Sequence, residues 1–173
     1  MRKINLYGAP SSGKSILAAL LFAELKILGY SAEMVREFAK EEVYLGKDIS
    51  NLPTNERLDI LKVQIARERL FSNQVDFLVL DAPVLISTFY NDNENALKLA
   101  RQFRSQFSGE ESNYFLERNH AFEKNGRSHD EEQSMKIEIE MKQFLKNEGI
   151  KFHILKSSSR ENLNTILKIE KIH

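Results

Sequence analysis

Short apolar runs alternate with longer segments of helical periodicity along the chain, which predicts strands separated by helices. Strands are predicted at about residues 4–7, 32–35, 75–81, 114–116 and 152–155. Helices are predicted at about residues 16–28, 38–45, 55–71, 93–107 and 131–146, and from residue 158 onward. The run at 75–81 is almost continuously apolar, as in a parallel strand that is buried on both faces.

The alternation of strand and helix occurs about five times, without an internal repeat or a break in composition. This pattern predicts the α/β class, with a five-stranded parallel sheet between two layers of helices in a three-layer sandwich. A chain of 173 residues is long enough to bury one full core. We therefore expect a single domain over residues 1–173.

Composition excludes several kinds of site. The chain has 25 basic and 25 acidic residues, and this balance disfavours a non-specific nucleic-acid binder while leaving a local basic cleft open. The absence of cysteine excludes disulfides, thiolate metal sites and a cysteine nucleophile. No apolar run approaches the roughly 20 residues of a membrane span. The glycine loop comes too early for a signal peptide, so we expect no membrane partner and a cytoplasmic location.

One motif carries specific chemistry. Residues 8–15 match the phosphate-loop pattern G-x-x-x-x-G-K-[ST], between a predicted strand and a predicted helix. In this pattern backbone N–H groups surround phosphates, the lysine reaches the β- and γ-phosphates, and the final hydroxyl binds Mg²⁺. The predicted cofactors are ATP and Mg²⁺, with Ser15 as a metal ligand. The predicted nucleotide-binding residues are Gly8, Ser11, Ser12, Gly13, Lys14 and Ser15.

The residues that follow the third predicted strand favour phosphoryl transfer over hydrolysis. A GTPase needs the guanine-reading tetrapeptide N-K-x-D, which the sequence lacks. A motor-type ATPase usually ends an apolar strand in Asp-Glu, where the glutamate activates water. Here the strand ends in Leu80-Asp81-Ala82-Pro83, without that glutamate. A kinase must exclude activated water, because otherwise it hydrolyses ATP.

The chain resembles the ribosylnicotinamide kinase domain and related small P-loop kinases, which in bacteriophages are often described as AAA-type ATPases. The resemblance rests on the phosphate loop and on the segments 35–40, 80–83, 115–119 and 125–128, in that order. It implies a nucleoside-monophosphate-kinase-like fold, ATP with Mg²⁺, and transfer to a nucleoside-like small acceptor, in the host cytoplasm if a phage encodes the protein. Ribosylnicotinamide kinases carry aromatic residues, tryptophan among them, around the acceptor, whereas this chain has no Trp.

Two carboxylates follow predicted strands at the edge where parallel sheets bind ligands. Asp81 could hold Mg²⁺ through water or accept the proton of an attacking hydroxyl, and the alternative is a helix or turn cap. Glu37 could bind a ribose hydroxyl or act as general base, and the alternative is an acid that stabilises a helix dipole. We expect both to be catalytic, without deciding which one is the base.

A polar segment at about 117–130 is predicted to be a mobile lid, as in nucleotide kinases. Arg118 and Arg127 are its better candidates for stabilising the transferring phosphoryl, with Lys124 a weaker one, and ordinary loop charges are the alternative. The polar residues at 128–132 resemble a metal cluster. Capping-box spacing, both between Ser128 and Glu131 and between Asp130 and Gln133, instead favours a helix start. The resemblance places an adenine-binding loop at 156–160.

Three functions stay open at this point. The favoured one is an ATP- and Mg²⁺-dependent kinase of a nucleoside, a nucleotide or a nicotinamide-riboside-like acceptor. The second keeps the chemistry but transfers phosphate to a polynucleotide or a modified DNA base, which the neutral charge disfavours. The third is a P-loop ATPase regulated by a protein partner. A homo-oligomer is compatible with each of them.

Overall fold

Five parallel strands form one sheet in the order β2-β3-β1-β4-β5. The computed structural model describes residues 1–91, 93–123, 130–156 and 158–173. The strands are β1 Arg2–Tyr7, β2 Ala32–Val35, β3 Phe77–Leu80, β4 Glu110–Leu116 and β5 His153–Leu155. The prediction of a five-stranded parallel sheet in an α/β fold is confirmed.

Seven α-helices within the described residues surround the sheet. They are α1 Lys14–Ile27, α2 Phe38–Tyr44, α3 Thr54–Leu70, α4 Val84–Phe89, α5 Glu94–Ser105, α6 Glu131–Asn147 and α7 Ser159–Glu170. The sequence did not predict α4, because six residues are too few to show helical periodicity and Pro83 was interpreted only as the end of a strand. None of the helices in these described ranges has both the length and the apolar character that a membrane crossing requires.

The helices cover both faces of the sheet. On one face, α1 and α7 pack against buried side chains of β1 and β4, including Ile4 and Leu6. On the other face, α4 and α6 pack around Tyr7 and Phe115, and α3 joins α4 and α5 in a further apolar cluster. This arrangement is the predicted three-layer sandwich. Burial on both faces explains why all four residues of β3 are apolar and buried.

Strand β4 is longer than predicted. Its first half, Glu110–Asn113, is polar and partly exposed, so that hydrophobicity alone predicts a strand only from Tyr114. These residues nevertheless pair with β1 along its length, from Arg2 opposite Glu110 to Tyr7 opposite Phe115. Backbone pairing with a central strand thus overrides the low strand preference of the polar residues.

Strand register brings the predicted site residues to one edge of the sheet. Asn5 of β1 lies opposite Leu80 of β3, so that Asp81 leaves the sheet close to the start of the phosphate loop. The Asp81 N–H donates to the Val35 carbonyl at the end of β2, at 3.1 Å. The connections that carry Glu37, Asp81 and the loop are therefore neighbours.

Local signals define the beginnings of two helices. The Asp130 side chain accepts from the Gln133 N–H, and the Gln133 side chain accepts from the Asp130 N–H, which is a complete capping box for α6. Ser158 and Glu161 form the same reciprocal pair for α7. The interpretation of Asp130 as part of a helix start is confirmed.

Candidate active site

The phosphate loop has a backbone path that requires glycine at its first position. Gly8 has φ of 149°, and a Cβ atom there would lie 2.6 Å from Ser12 Oγ and 2.7 Å from the Leu116 carbonyl oxygen. Gly13 has φ of 90°, in the left-handed region that favours glycine. The loop therefore turns tightly after β1 and leads directly into the beginning of α1.

Neighbouring elements hold the outer side of this loop. Ser134 at the start of α6 donates its hydroxyl to the Pro10 carbonyl at 2.7 Å. Ser11, a non-glycine residue with φ of 63°, accepts a hydrogen bond on Oγ from the Glu123 N–H at 2.8 Å. The hydrogen bond from Glu123 thus stabilises the strained backbone of Ser11.

The functional groups of the loop fit a phosphate chain. Lys14 Nζ donates to the carbonyls of Gly8 and Ala9 at 2.7 and 3.0 Å, which keeps the ammonium group folded back over the loop. Within the described residues, the buried Ser12 hydroxyl has no hydrogen-bond partner. Successive N–H groups at the beginning of a helix, with one lysine and spare hydroxyls, match the donors that phosphate oxygens need.

The loop forms one end of a cavity of about 360 Å³. The opposite wall consists of α2, the 3-10 turn at Ile49–Asn51, the beginning of α3, and α4. The cavity is lined by Gly8, Pro10, Ser11, Ser12, Gly13, Lys14, Ser15, Ile16, Glu37, Ala39, Lys40, Val43, Ile49, Arg57, Ile86, Tyr90, His120 and Glu123. All predicted nucleotide-binding residues and Glu37 are therefore brought together in one space, with room for a small molecule beside the loop.

Glu37 lines the cavity from the beginning of α2. It is the N-cap residue of α2, but its side chain makes no capping hydrogen bond. Tyr90 lines the same cavity, and burial raises the pKa of its phenol, as does the nearby charge of Glu37. Tyr90 thus stays a neutral hydroxyl at physiological pH. Its place at the N-cap of α2 also fits the alternative, in which the acid stabilises the dipole of its helix, so the catalytic role of Glu37 stays a prediction.

Asp81 is buried at the carboxyl end of β3, with 3% of its surface exposed. Its Oδ1 has no hydrogen-bond partner in the described part of the chain, and the N-cap of α4 is Pro83 rather than Asp81. A buried carboxylate oxygen without a partner is costly, and a cation or its water shell would satisfy it. Asp81 is not among the described residues that line the cavity, and the strand register places it next to the start of the phosphate loop.

The described residues offer few protein ligands for the predicted metal ion. Within the described residues, no three His, Asp or Glu side chains gather as metal ligands. Mg²⁺ in nucleotide sites usually takes only one or two protein ligands and completes its shell with phosphate oxygens and water. The Ser15 hydroxyl in the cavity and the Asp81 carboxylate beside it fit such a shell.

Arg118 is paired with an acidic residue in the structure. Its guanidinium pairs with Glu131 Oε1 at 2.6 Å and lies 5.6 Å from the centre of the Phe122 ring. It is not among the described cavity-lining residues. Arg127 and Lys124 lie outside the described residues. The role of the lid arginines therefore stays a prediction. Among the described residues of this segment, His120 and Glu123 line the cavity.

Sequence reasoning did not identify three polar residues of the far wall. Arg57 donates through Nε to the Leu52 carbonyl at 2.9 Å and through Nη1 to the Tyr90 carbonyl at 3.0 Å. Lys40 and Tyr90 complete this set. In sequence, Lys40 and Arg57 look like ordinary charged residues of predicted helices, and Tyr90 lies between predicted elements. Only tertiary packing shows that the three residues share a cavity.

Solved structures with similar folds include several P-loop kinases. The NadR protein in complex with NAD and AMP-PNP superposes with a TM-score of 0.72 at 15% identity, covering 99% of this chain and 50% of that chain. Deoxyadenosine kinase from M. mycoides with dCMP and dCDP gives 0.62 at 16%, covering 99% and 100%. The APS kinase CysC of Mycobacterium tuberculosis gives 0.56 at 15%, covering 98% and 97%.

These identities establish similarity of fold, and the predicted resemblance to small P-loop kinases is confirmed at that level. No curated protein is significantly similar to the chain in sequence. The family model described as an AAA domain matches residues 3–162, which is most of the chain. The chain therefore belongs to this AAA domain family of P-loop proteins.

Proposed function

We propose that the chain is a kinase that uses ATP and Mg²⁺ to phosphorylate a nucleoside, a nucleotide or a nicotinamide-riboside-like small acceptor. One observation carries this proposal. A single cavity has the phosphate loop at one end and Glu37, Lys40, Arg57 and Tyr90 at the other. Such a cavity can hold a phosphoryl donor and a polar acceptor side by side, which is the arrangement that direct transfer needs.

The donor end of the cavity binds phosphate oxygens. The backbone N–H groups of the loop and the Lys14 ammonium would neutralise charge on the β- and γ-phosphates. The Ser15 hydroxyl and the Asp81 carboxylate, directly or through water, would hold the metal ion. Mg²⁺ supplies further neutralisation of the charge that develops on the phosphate oxygens.

The acceptor end combines polar groups with apolar walls. Val43, Ile49 and Ile86 provide the apolar surface against which a base or a similar ring would pack. The Glu37 carboxylate would accept the proton of the acceptor's attacking hydroxyl, while the oxygen of that hydroxyl forms a bond to the γ-phosphorus. The bond from that phosphorus to the bridging oxygen breaks, and ADP leaves. Filling this end with an acceptor excludes the water that would otherwise react.

The similar solved structures support this class of reaction through what was bound to them. The deoxyadenosine kinase was solved with dCMP and dCDP, and the NadR protein with AMP-PNP, an ATP analogue. The APS kinase was solved with AMP-PNP and APS. Each is a nucleotide ligand in a P-loop fold, which supports a nucleoside-like acceptor for this chain.

The test is ADP release from Mg²⁺-ATP in the presence of nucleosides, nucleotides, nicotinamide riboside and oligonucleotides. We expect one small acceptor to stimulate release. Lys14→Ala should abolish the stimulation, and Glu37→Gln should lower kcat by about 10²- to 10⁴-fold. Lys168→Ala and Glu132→Gln change the same residue types on the exposed surfaces of α7 and α6, and should leave kcat unchanged.

Other outcomes of the panel have defined meanings. Transfer to oligonucleotides alone would replace the small acceptor with a polynucleotide. Turnover that no acceptor affects, with Lys14 still required, would contradict the kinase proposal and favour an ATPase regulated by a partner.

A further inference from the structure

Helix α3 presents two buried polar side chains toward the connections that carry Glu37 and Asp81. Gln64 is 1% exposed and Glu68 is 2% exposed. They are four residues apart and therefore lie on the same face of the helix. Polar residues rarely occupy such positions unless hydrogen bonds satisfy them, so their partners show what they hold.

The amide of Gln64 joins the two connections. Its Oε1 accepts from the Phe38 N–H at 3.1 Å, and its Nε2 donates to the Ala82 carbonyl at 3.0 Å. A backbone N–H can only donate and a carbonyl can only accept, so the two partners fix the orientation of the amide. Phe38 directly follows Glu37, and Ala82 directly follows Asp81.

The contact with Phe38 also supplies the beginning of α2 with a hydrogen-bond acceptor. The first N–H groups of a helix need external acceptors, and the N-cap side chain commonly supplies one. Glu37 is the N-cap of α2 and makes no such bond. Gln64 supplies the acceptor for the first N–H of the helix instead. The helix start is thus satisfied from α3, while Glu37 faces the cavity.

Glu68, one helical turn after Gln64, binds the connection that carries Asp81 at a second point. Its Oε1 accepts from the Val84 N–H at 2.8 Å, at the start of α4, and its Oε2 lies 3.5 Å from Lys3 Nζ. The connection that carries Asp81 is therefore attached to α3 at Ala82 and again at Val84. The connection that carries Glu37 is attached at Phe38 through the same Gln64 side chain.

We propose that Gln64 is a positioning residue that fixes the placement of Glu37 relative to Asp81. This inference rests on the proposed function, because it assigns Gln64 the task of aligning the carboxylate that accepts the proton with the one that holds the metal ion. Gln64 itself does not line the cavity within the described residues. An amide is suited to this position because it donates at one end and accepts at the other.

Two substitutions separate positioning from general stability. Gln64→Met keeps an unbranched chain of similar length but removes both hydrogen bonds. Gln64→Glu keeps the acceptor for the Phe38 N–H and places a second oxygen against the Ala82 carbonyl, unless the carboxyl group is protonated. Ile166→Val and Ile166→Ala, at a fully buried position of α7 packed with α1, provide controls of comparable loss of stability.

Steady-state kinetics with the acceptor found in the panel give the first readout. We expect Gln64→Met to lower kcat by about 10- to 100-fold with little change in the KM for ATP, since small misplacements of reacting groups cost this much. Gln64→Glu should regain activity relative to wild type as the pH falls, because the protonated carboxyl group can donate to the Ala82 carbonyl. A kcat for Gln64→Met equal to that of an Ile166 control of the same stability would overturn the inference.

Amide hydrogen exchange gives a readout that needs no acceptor. In Gln64→Met, we expect roughly tenfold faster exchange in both Phe38–Tyr44 and Val84–Phe89, with Ser159–Glu170 unchanged. Loss of protection in only one of the two helices, or in neither, would show that Gln64 does not couple them. If wild type shows no acceptor-dependent activity, the kinase proposal fails, while the exchange data still decide whether Gln64 links the two connections.

Discussion

Glu68 should make the folded state less stable as the pH rises, which is the opposite of the usual effect of a carboxylate. Burial raises the pKa of its carboxyl group from 4.5 to about 7, although the Lys3 ammonium and the Val84 N–H act in the opposite direction. Glu111 adds a smaller effect that also raises the pKa. In the unfolded chain the group titrates near its ordinary value. Between pH 4.5 and about 7, the folded protein therefore holds a proton that the unfolded chain has lost.

The sign and size of the effect follow from this difference. Because the folded state binds more protons in that window, the free energy of unfolding falls as the pH rises through it. The difference between the two pKa values corresponds to about 3 kcal/mol, which is fully present below pH 4.5 and lost above about pH 7. Loss of this size is a large part of the stability of an ordinary domain.

Glu68→Gln isolates the effect. The glutamine can still accept from the Val84 N–H, but it does not titrate. Other carboxylates change stability in the opposite direction; for example, hydrogen bonds from Arg67 and Arg101 lower the pKa values of Glu41 and Glu148. These groups are present in both proteins, so their contributions cancel in the difference between the variant and wild type.

Urea unfolding of both proteins at intervals from pH 4.5 to 7.5 provides the measurement. We expect wild type to lose about 3 kcal/mol relative to Glu68→Gln across this range. Equal pH dependence of the two proteins would refute the argument that burial dominates at this position. A wild type that gains stability with pH relative to Glu68→Gln would mean that Lys3 and Glu68 form a stabilising ion pair.

Three further predictions concern the loop, a helix cap and a surface ion pair. Gly8→Ala should lower the free energy of unfolding by about 2–4 kcal/mol and abolish ATP binding. Gly46→Ala is the control, because Gly46 also has a positive φ but a Cβ atom there would meet no described atom within 4 Å. It should cost only about 1 kcal/mol in urea unfolding. Asp130→Ala removes the N-cap of α6 and should cost about 1 kcal/mol in the same assay. Arg67→Lys loses the two-pronged contact with Glu41 and should cost about 0.5–1 kcal/mol at low salt, with a smaller cost at 1 M NaCl; an equal cost at both salt concentrations would contradict an ionic origin.

Features that depend on neighbours in sequence were predictable. The phosphate loop is contained in eight residues, and the cap of α6 depends only on Asp130 and Gln133. The apolar run that became β3 indicates a buried parallel strand because the sheet is covered on both faces. Local chemistry determines these elements, so that a single sequence is enough to find them.

Features that depend on distant contacts were not predictable. Gln64 and Arg57 lie on a helix whose polar residues look solvent-exposed, and only packing against the connections after β2 and β3 reveals their partners. Arg118 pairs with Glu131, a partner that no motif indicates. A single domain and a cytoplasmic location stay predictions.

The central position of β1 has a consequence for how the protein is made. Strand β1 is synthesised before both of its partners, and Asn5 contacts Asn113, which lies 108 residues further along the chain. At typical elongation speeds, the edge of β1 that pairs with β4 waits on the order of ten seconds on the ribosome with unpaired backbone N–H and C=O groups, a state prone to aggregation. The phosphate loop cannot close before β4 emerges, because Gly8 packs against Leu116. Nucleotide therefore cannot rescue the nascent chain during this interval, and efficient folding should depend on chaperones that shield β1.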